Sequence, residues 1–449
     1  FFFRVDVMAD FDKDPEGLQE PEDKAQGSGS VPQGENEEDS DGDEETSASE
    51  SADDDLDQRN DDDLEEFSEE SMDEAEQERR CTARTISANT GHRRQPHDIR
   101  GCRSVDNFKK LNMISEGSYG RVWRAQQQLR NGRVKINALK QVKMEKEKEG
   151  FPMTALREIH ILLTLQHTNV VAVEEVVVGA KMDSIFLVME YLPHDLKYLM
   201  ETMRARFLQS EVKCLLVQLL KACCYMHDNW IIHRDLKTSN LLYSNNGVLK
   251  VCDFGLARLY GEPIKKMTPG VVTLWYRSPE ILLGEESYDP AVDLWSVGCI
   301  FAELLRKEPL FPGRTEVDML TRIFNTLGTP TEETWPNFNQ LPNVKKHKFN
   351  AVPPGKLREL FPAAAMYADK SSLTETGFEL LAAFLASNPE RRISAAKALN
   401  HRYFLEVPPP QEVSLMPTFK ATNEQPRKKR KRGADDPNRE TKKALGVAV

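Results

Sequence analysis

The chain has 449 residues and a formal charge of −12, and at about 150 residues per domain it has ample length for a large core. Residues 1–80 hold 32 Asp or Glu against 6 Lys or Arg, while the remainder is net basic, a division that excludes a small secreted or purely structural domain. The seven cysteines are odd in number and include no C-x-x-C pair, which excludes a disulfide framework and a structural zinc site and favours a reducing compartment.

Phe1-Phe2-Phe3-Arg4 is too short and too quickly charged for a secretory signal, and without an initiator Met the sequence is expected to be a fragment. Acidic clusters at 35–38, 53–55 and 61–66 lie among Gly and Ser. Such a stretch cannot bury enough apolar surface to offset the entropy of ordering, so it reads as a disordered arm, with Ser40 among acids as a phosphorylatable site. Residues 79–104 turn basic and polar and continue the arm to 107. Packed structure is expected from Phe108 to Phe404, as an α+β fold: a small antiparallel-sheet lobe (108–191) and a large helical lobe (192–404).

In the first lobe, short apolar runs flank turns such as Asn131-Gly132, a hairpin signal, and a strand is expected from Ile185 to Tyr191, bounded by Pro193. Beyond it, Ser210-Glu211 through Met226 has Leu215, Leu216, Leu219, Leu220 and Cys223 at helical spacing. Further helices are expected around 290–306, 316–327 and 374–386. Residues 405–449 read as a disordered Pro-rich and basic tail, ending in the six cations 427–432, a nuclear-import signature. No run approaches about 18 apolar residues, so no membrane span is expected.

Chemistry concentrates in the middle. Gly117-Ser118-Tyr119-Gly120-Arg121-Val122 is a glycine turn able to bring backbone N–H groups to phosphate, although Ser115 stands where a G-x-G-x-x-G pattern has its first Gly. Lys140 ends a strand-like run and suits a point charge on nucleotide phosphates; Glu158, in a helix-like segment, can hold it. His233-Arg234-Asp235-Leu236-Lys237-Thr238-Ser239-Asn240 and Asp253-Phe254-Gly255 then provide an Asp to accept a hydroxyl proton, with Asn240 and Asp253 to bind magnesium. Ser278-Pro279-Glu280 and Asp293-Leu294-Trp295-Ser296-Val297-Gly298 follow in order. This ordered set is the protein-kinase signature.

The segment 108–404 resembles a eukaryotic protein kinase of the cyclin-dependent class. Pro152-Met153-Thr154-Ala155-Leu156-Arg157-Glu158 resembles the helix after which the PITSLRE subfamily is named, differing at Met153 and Ala155. Three other stretches, at 143–151, 227–230 and 237–240, resemble the same subfamily.

The resemblance implies a bilobal kinase fold, ATP and Mg2+ as cofactors, and an adenine pocket of Ile114, Val122, Ala138 and Leu242 with Met189 behind it. Glu190 and Leu192 would offer backbone hinge bonds, Asp195 would lie near the ribose, and Lys237 would steady the transferred phosphate. Val271 to Arg277 resembles the substrate segment of proline-directed kinases, suiting Ser/Thr-Pro sites because Pro has no N–H to leave unpaired.

Thr268 would carry an activating phosphate received by Arg157, Arg234 and Arg258, while Ser118 and Tyr119 are candidate inhibitory phosphorylation sites. Glu280 is expected to pair with Arg392, and Cys252 is a candidate for alkylation from the pocket. An L-type cyclin is the implied activator, drawing Glu158 inward onto Lys140. Protein substrates in the nucleus, and transcription, pre-mRNA splicing and cell-cycle control, are the implied settings. Neither membrane nor nucleic acid is required. A pseudokinase scaffold is the alternative, and the full set of Lys140, Glu158, Asp235, Asn240 and Asp253 is what it would not need.

Overall fold

The computed structural model describes residues 101–116, 120–142, 152–180, 184–264, 266–267, 272–347, 349–363 and 373–424. The first lobe is a six-stranded sheet of β1 (Arg103–Ser104), β2 (Phe108–Glu116), β3 (Gly120–Gln128), β4 (Val134–Val142), β5 (Val173–Val178) and β6 (Ile185–Glu190), in the order β1-β5-β6-β4-β3-β2. All neighbouring pairs are antiparallel except β1 with β5. At the β3–β4 turn Gly132 adopts φ 77 and the Arg133 N–H donates to Asn131 Oδ1 at 3.0 Å, as the Asn-Gly signal predicts.

Strand alternation divides the lobe's apolar residues between two cores. Phe186 and Val188 of β6 join Phe108, Ala125, Leu139 and Val177 on one side. Leu187 and Met189 belong to the main core with Ile161, Leu162 and Leu165, contributed by helix α1 (Met153–Thr164) and the residue that ends it. That division puts α1 on the Lys140 side of the sheet.

The second lobe begins with β7 (His194–Asp195) and α2 (Leu196–Thr202), then α3 (Gln209–Asp228). The first turn of α3 is closed by the Leu208 N–H donating to Glu211 Oε2 at 2.7 Å. Leu215, Leu216, Leu219, Leu220 and Cys223 are all buried along it, as their spacing predicts. Short strands β8 (Ile231–Ile232), β9 (Leu241–Tyr243), β10 (Leu249–Val251) and β11 (Arg258–Leu259) form two small sheets, β10-β9-β7 and β11-β8. They carry the loops of the candidate site. Helices α4 (Pro279–Leu282), α5 (Ala291–Arg306), α6 (Glu316–Leu327) and α7 (Glu375–Phe384) follow. Of these, α5 is buried from Val292 to Leu305. A side chain at Gly298 would meet Phe384 Cβ at 2.8 Å, so α5 and α7 approach at a contact only glycine allows.

Packed structure is expected from Phe108 to Phe404, but the described residues run from 101 through Glu424. Arg103 and Ser104 pair with Val177 and Val178. After Phe404, the buried ammonium of Lys213 donates to the carbonyl oxygens of Glu406 at 3.0 Å and Pro408 at 2.7 Å. Farther on, Tyr243 donates to the Pro417 carbonyl at 2.7 Å. Proline-rich composition reads as a tail, yet single anchors of this kind hold it to the lobe. Among the described residues no helix is long and apolar enough to cross a membrane.

Candidate active site

The chain enters β8 through Trp230 (φ 59) and leaves it through Arg234 (φ 63), both in the left-handed region. Asp293, in the first turn of α5, holds this turn: its Oδ2 accepts the His233 N–H and its Oδ1 the Arg234 N–H, each at 2.9 Å. Its Oδ2 also bonds His227 Nε2 at 3.0 Å. Burial alone would raise the Asp293 carboxyl, but these bonds and the neighbouring imidazoles outweigh it and hold the group below the usual carboxylate range.

Asp235, the residue so presented, is surrounded by donors. Its Oδ1 accepts the Thr273 hydroxyl at 2.8 Å and the Thr273 N–H at 3.2 Å. Its Oδ2 accepts Lys237 Nζ at 2.5 Å and Asn240 Nδ2 at 3.1 Å. Lys237 also donates to Thr273 Oγ1 at 2.9 Å. Asp235, Lys237 and Asn240, read from one local motif, are thus brought together as expected, and Thr273 joins them from a distant segment.

Lys140, on β4, donates to Glu158 Oε1 of α1 at 2.5 Å and to Asp253 Oδ1 at 2.9 Å. Burial by itself would lower the Lys140 ammonium, but the carboxylates of Asp253 and Glu158 outweigh it and raise it above its ordinary value. Reciprocally, burial would raise the Asp253 carboxyl, and Lys140 holds it low. The Lys140 ammonium and the Asp253 carboxylate are therefore both kept charged. The sequence reading expects Glu158 to need a cyclin to bring it inward; in the structure the pair is already made.

Asp253 adopts φ 66, a left-handed conformation that Asp tolerates better than most residues. Phe254 behind it meets the His233 ring edge-on at 4.8 Å. Asn240 commits its amide nitrogen to Asp235, through the side chain and through the backbone carbonyl at 2.8 Å, so its side-chain oxygen is the atom suited to a metal. One carboxylate and one amide oxygen are hard donors, and they fit Mg2+, which keeps water and phosphate oxygens for the rest of its shell.

For the adenine pocket, the register sets Ala138 opposite Met189 and Leu242 opposite Asp195. Ala138 and Leu242 pack on the core that includes Met189 and Leu192. Ile114 and Val122 stand half-buried on β2 and β3, Ile114 at the register shift between Met113 and Ser115 and Val122 opposite Ser115. Gly120 has φ 156, and a Cβ there would lie 2.2 Å from the Gln141 carbonyl oxygen, so the turn's end requires glycine. Gly117, Ser118 and Tyr119 lie outside the described residues.

Glu190 uses its carboxylate on the Ala172 N–H at 2.7 Å and on Lys250 at 2.8 Å. Asp195, expected near a ribose, caps α2 by accepting the Tyr198 N–H at 3.0 Å. The Leu192 carbonyl, expected as a hinge group, accepts Asn423 Nδ2 at 3.1 Å. Nothing in the local sequence around either residue signals that bond. The Cys252 thiol is pushed up, chiefly by burial and next by Asp253, which disfavours the thiolate needed for alkylation.

Thr268 also lies outside the described residues. Of its three expected arginines, Arg234 donates to the Leu256 carbonyl at 2.7 Å and to the Tyr288 hydroxyl at 2.8 Å. Burial, with the nearby Arg258 adding to it, lowers the Arg234 guanidinium, against the pull of Tyr288. Arg157 is half-buried on α1. Nearby, Val272 adopts φ 69, strained for a β-branched residue, and its carbonyl accepts Arg277 Nη2 at 2.9 Å. The expected Glu280–Arg392 pair is present and bidentate, at 2.7 and 2.9 Å.

A family model described as protein kinase domain matches residues 108–404. Cyclin-dependent kinase G-2 of Oryza sativa subsp. indica is 57% identical over 326 residues, 73% of this chain and 45% of that protein. Cyclin-dependent kinase 11B of Homo sapiens is 54% identical over 332 residues, 74% of this chain and 40% of that protein. Serine/threonine-protein kinase PITSLRE of Drosophila melanogaster is 53% identical over 334 residues, 73% of this chain and 34% of that protein. The chain thus spans less than half the length of each of these three relatives.

Proposed function

This chain belongs to the protein kinase family, among its cyclin-dependent serine/threonine kinases, and from that membership we propose that it transfers the γ-phosphate of ATP to Ser or Thr, before Pro, in protein substrates. The observation that carries the reading is the Asp235 carboxylate gathered by Lys237, Asn240 and Thr273 beside the closed Lys140–Glu158 pair. Asp235 orients the substrate hydroxyl and receives its proton as the new O–P bond forms and the bond to the departing ADP breaks. Lys140 holds the nucleotide phosphates, and Lys237 offsets charge on the transferred group. Mg2+, when bound through Asp253 and Asn240, neutralises phosphate charge. A scaffold without catalysis would not need this complete set.

Proline selection is supported by Val272. Its carbonyl accepts from Arg277, so a substrate residue with an N–H at the next position would have to share that acceptor, whereas Pro has no N–H to satisfy. Cyclin control is supported by α1, where Met153, Leu156 and Leu163 are exposed at spacings that share one face. The opposite side of the helix is buried with Glu158. An apolar stripe on the helix that holds the catalytic pair suits a partner that fixes its position, and an L-type cyclin is our assignment.

We assign Thr268 as the activating phosphosite, because Arg258 lies close enough to disfavour the charge on Arg234 and a phosphate would relieve this. Nuclear residence, with roles in transcription, splicing and the cell cycle, is our assignment for the whole protein, supported by the basic run 427–432, which lies outside the described residues.

The test is phosphorylation of a Ser-Pro peptide by the purified full chain, alone and with an L-type cyclin, beside Asp235→Asn and Leu156→Asp variants. Cyclin-dependent activity lost in both variants is expected. Wild-type rates from Asp235→Asn would overturn the chemistry, and full activity without cyclin would overturn the regulation.

A further inference from the structure

The segment after Pro417 crosses from the helical lobe to the sheet lobe at the Leu192 connection. Phe419 packs edge-on against Tyr243, with ring centroids 6.0 Å apart. Beyond it, the N–H groups of Thr422 and Asn423 both donate to the Pro193 carbonyl, at 3.1 and 2.9 Å. On the other lobe, Asn112 of β2 donates its side-chain amide to the Asn423 carbonyl at 2.9 Å. Asn423 is 3% exposed, and its side chain, held by these backbone bonds, donates to the Leu192 carbonyl at 3.1 Å.

We propose that Asn423 is a specificity-determining residue of the nucleotide pocket, selecting against ligands that need the Leu192 carbonyl as a hydrogen-bond acceptor. The inference rests on the reading of this pocket as the ATP site. A planar ring bearing an acceptor beside a donor complements the N–H and C=O of one residue. Here the chain's own C-terminal segment has already taken the carbonyl. A carbonyl oxygen can accept two bonds, so the competition is partial. A ligand donor must share the oxygen with Asn423 or displace a buried amide from the bond it makes there, at a cost. Ligands that only accept from the hinge meet neither penalty. The anchors are backbone groups of Pro193 and the side chain of Asn112, so Asn423 does not depend on a ligand for its position.

The test uses the full chain and two matched probes, an aryl-substituted 2-aminopyrimidine and the same compound with hydrogen in place of the amino group, measured by calorimetry. Mg2+-ATP binding to the wild type checks the pocket, and thermal unfolding checks that each variant folds. Asn423→Ala removes the donor, and Asn423→Asp keeps the shape while placing an acceptor against the carbonyl. In the wild type the amino group should gain little affinity. In Asn423→Ala its advantage should grow by about fivefold, the value of one hydrogen bond, and in Asn423→Asp it should grow in the same direction. An amino advantage equal in all three proteins, with ATP binding intact, overturns this inference alone. So does a common shift of both probes, which would mean that Asn423 only shapes the lobes. Failure of the wild type to bind ATP overturns the pocket reading and this inference with it.

Discussion

Thr273 donates both its hydroxyl, at 2.8 Å, and its backbone N–H, at 3.2 Å, to the Asp235 carboxylate from 38 positions away. Its hydroxyl also accepts from Lys237, so the segment at Thr273 and the loop at 233–240 are joined at the carboxylate to which we assign proton transfer. Asp235→Asn should keep fold and nucleotide affinity and lower kcat by about 10²-fold or more, because general-base catalysis contributes on that order. Thr273→Ala should lower kcat for peptide with little change in ATP affinity, and Thr273→Ser should restore it. Steady-state kinetics with separate ATP titrations check both.

Val272 and Arg277 give a second prediction, on selectivity. In Val272→Gly the left-handed conformation no longer carries a strained side chain, and the peptide can reorient and free its carbonyl. The ratio of kcat/KM for Ser-Pro over Ser-Ala peptides should fall while activity persists. A matched peptide pair measures it, and an unchanged ratio would show that the carbonyl does not select Pro.

The Glu280–Arg392 pair is buried on both sides, with Arg392 also donating to the Ala291 carbonyl at 2.8 Å. Removing one partner leaves a buried charge alone, so Glu280→Ala should cost about 3–5 kcal/mol. Replacing both partners, Glu280→Leu with Arg392→Met, should cost less than either single change. Denaturant titration of the wild type, the single variants and the double variant checks the order.

Stability should also depend on pH through histidine. Burial pushes the His233 imidazole below its ordinary value, outweighing the attraction of Asp293, Asp235 and Asp253, and burial likewise lowers His167, His194 and His401. The unfolded chain takes up protons at these groups near pH ~6.5, before the folded chain does, so stability rises with pH from the lowered folded values up to that point. Tm should be level between about pH 7 and 8 and fall on acidification below about 6.5. Asp293 and Asp253, whose values are lowered, withdraw their contribution only farther down, below about pH 4. Thermal melts across pH check this, and His233→Gln should flatten the first part of the fall.

Much of the site was legible in the chain because its parts are local. Asp235, Lys237 and Asn240 share one loop, so their spacing alone indicates a shared centre, and alternation in β6 or the leucine spacing of α3 follows from backbone geometry. Lys140, Glu158 and Asp253 were legible only as members of an ordered set, since nothing in their own segments says that they touch.

Which chemical groups the site contains, and roughly which elements carry them, can be read along the chain, because side-chain periodicity and motif spacing are properties of the local backbone. Tertiary structure alone decided that Asp293 holds the turn at Arg234, that Thr273 meets Asp235, and that Asn423 returns to Leu192 across a separation of 231 positions. Each is a single hydrogen-bonding group meeting a partner far along the chain. Such a pairing leaves no periodic trace; it arises only when folding brings both groups out of water, where each must find a partner.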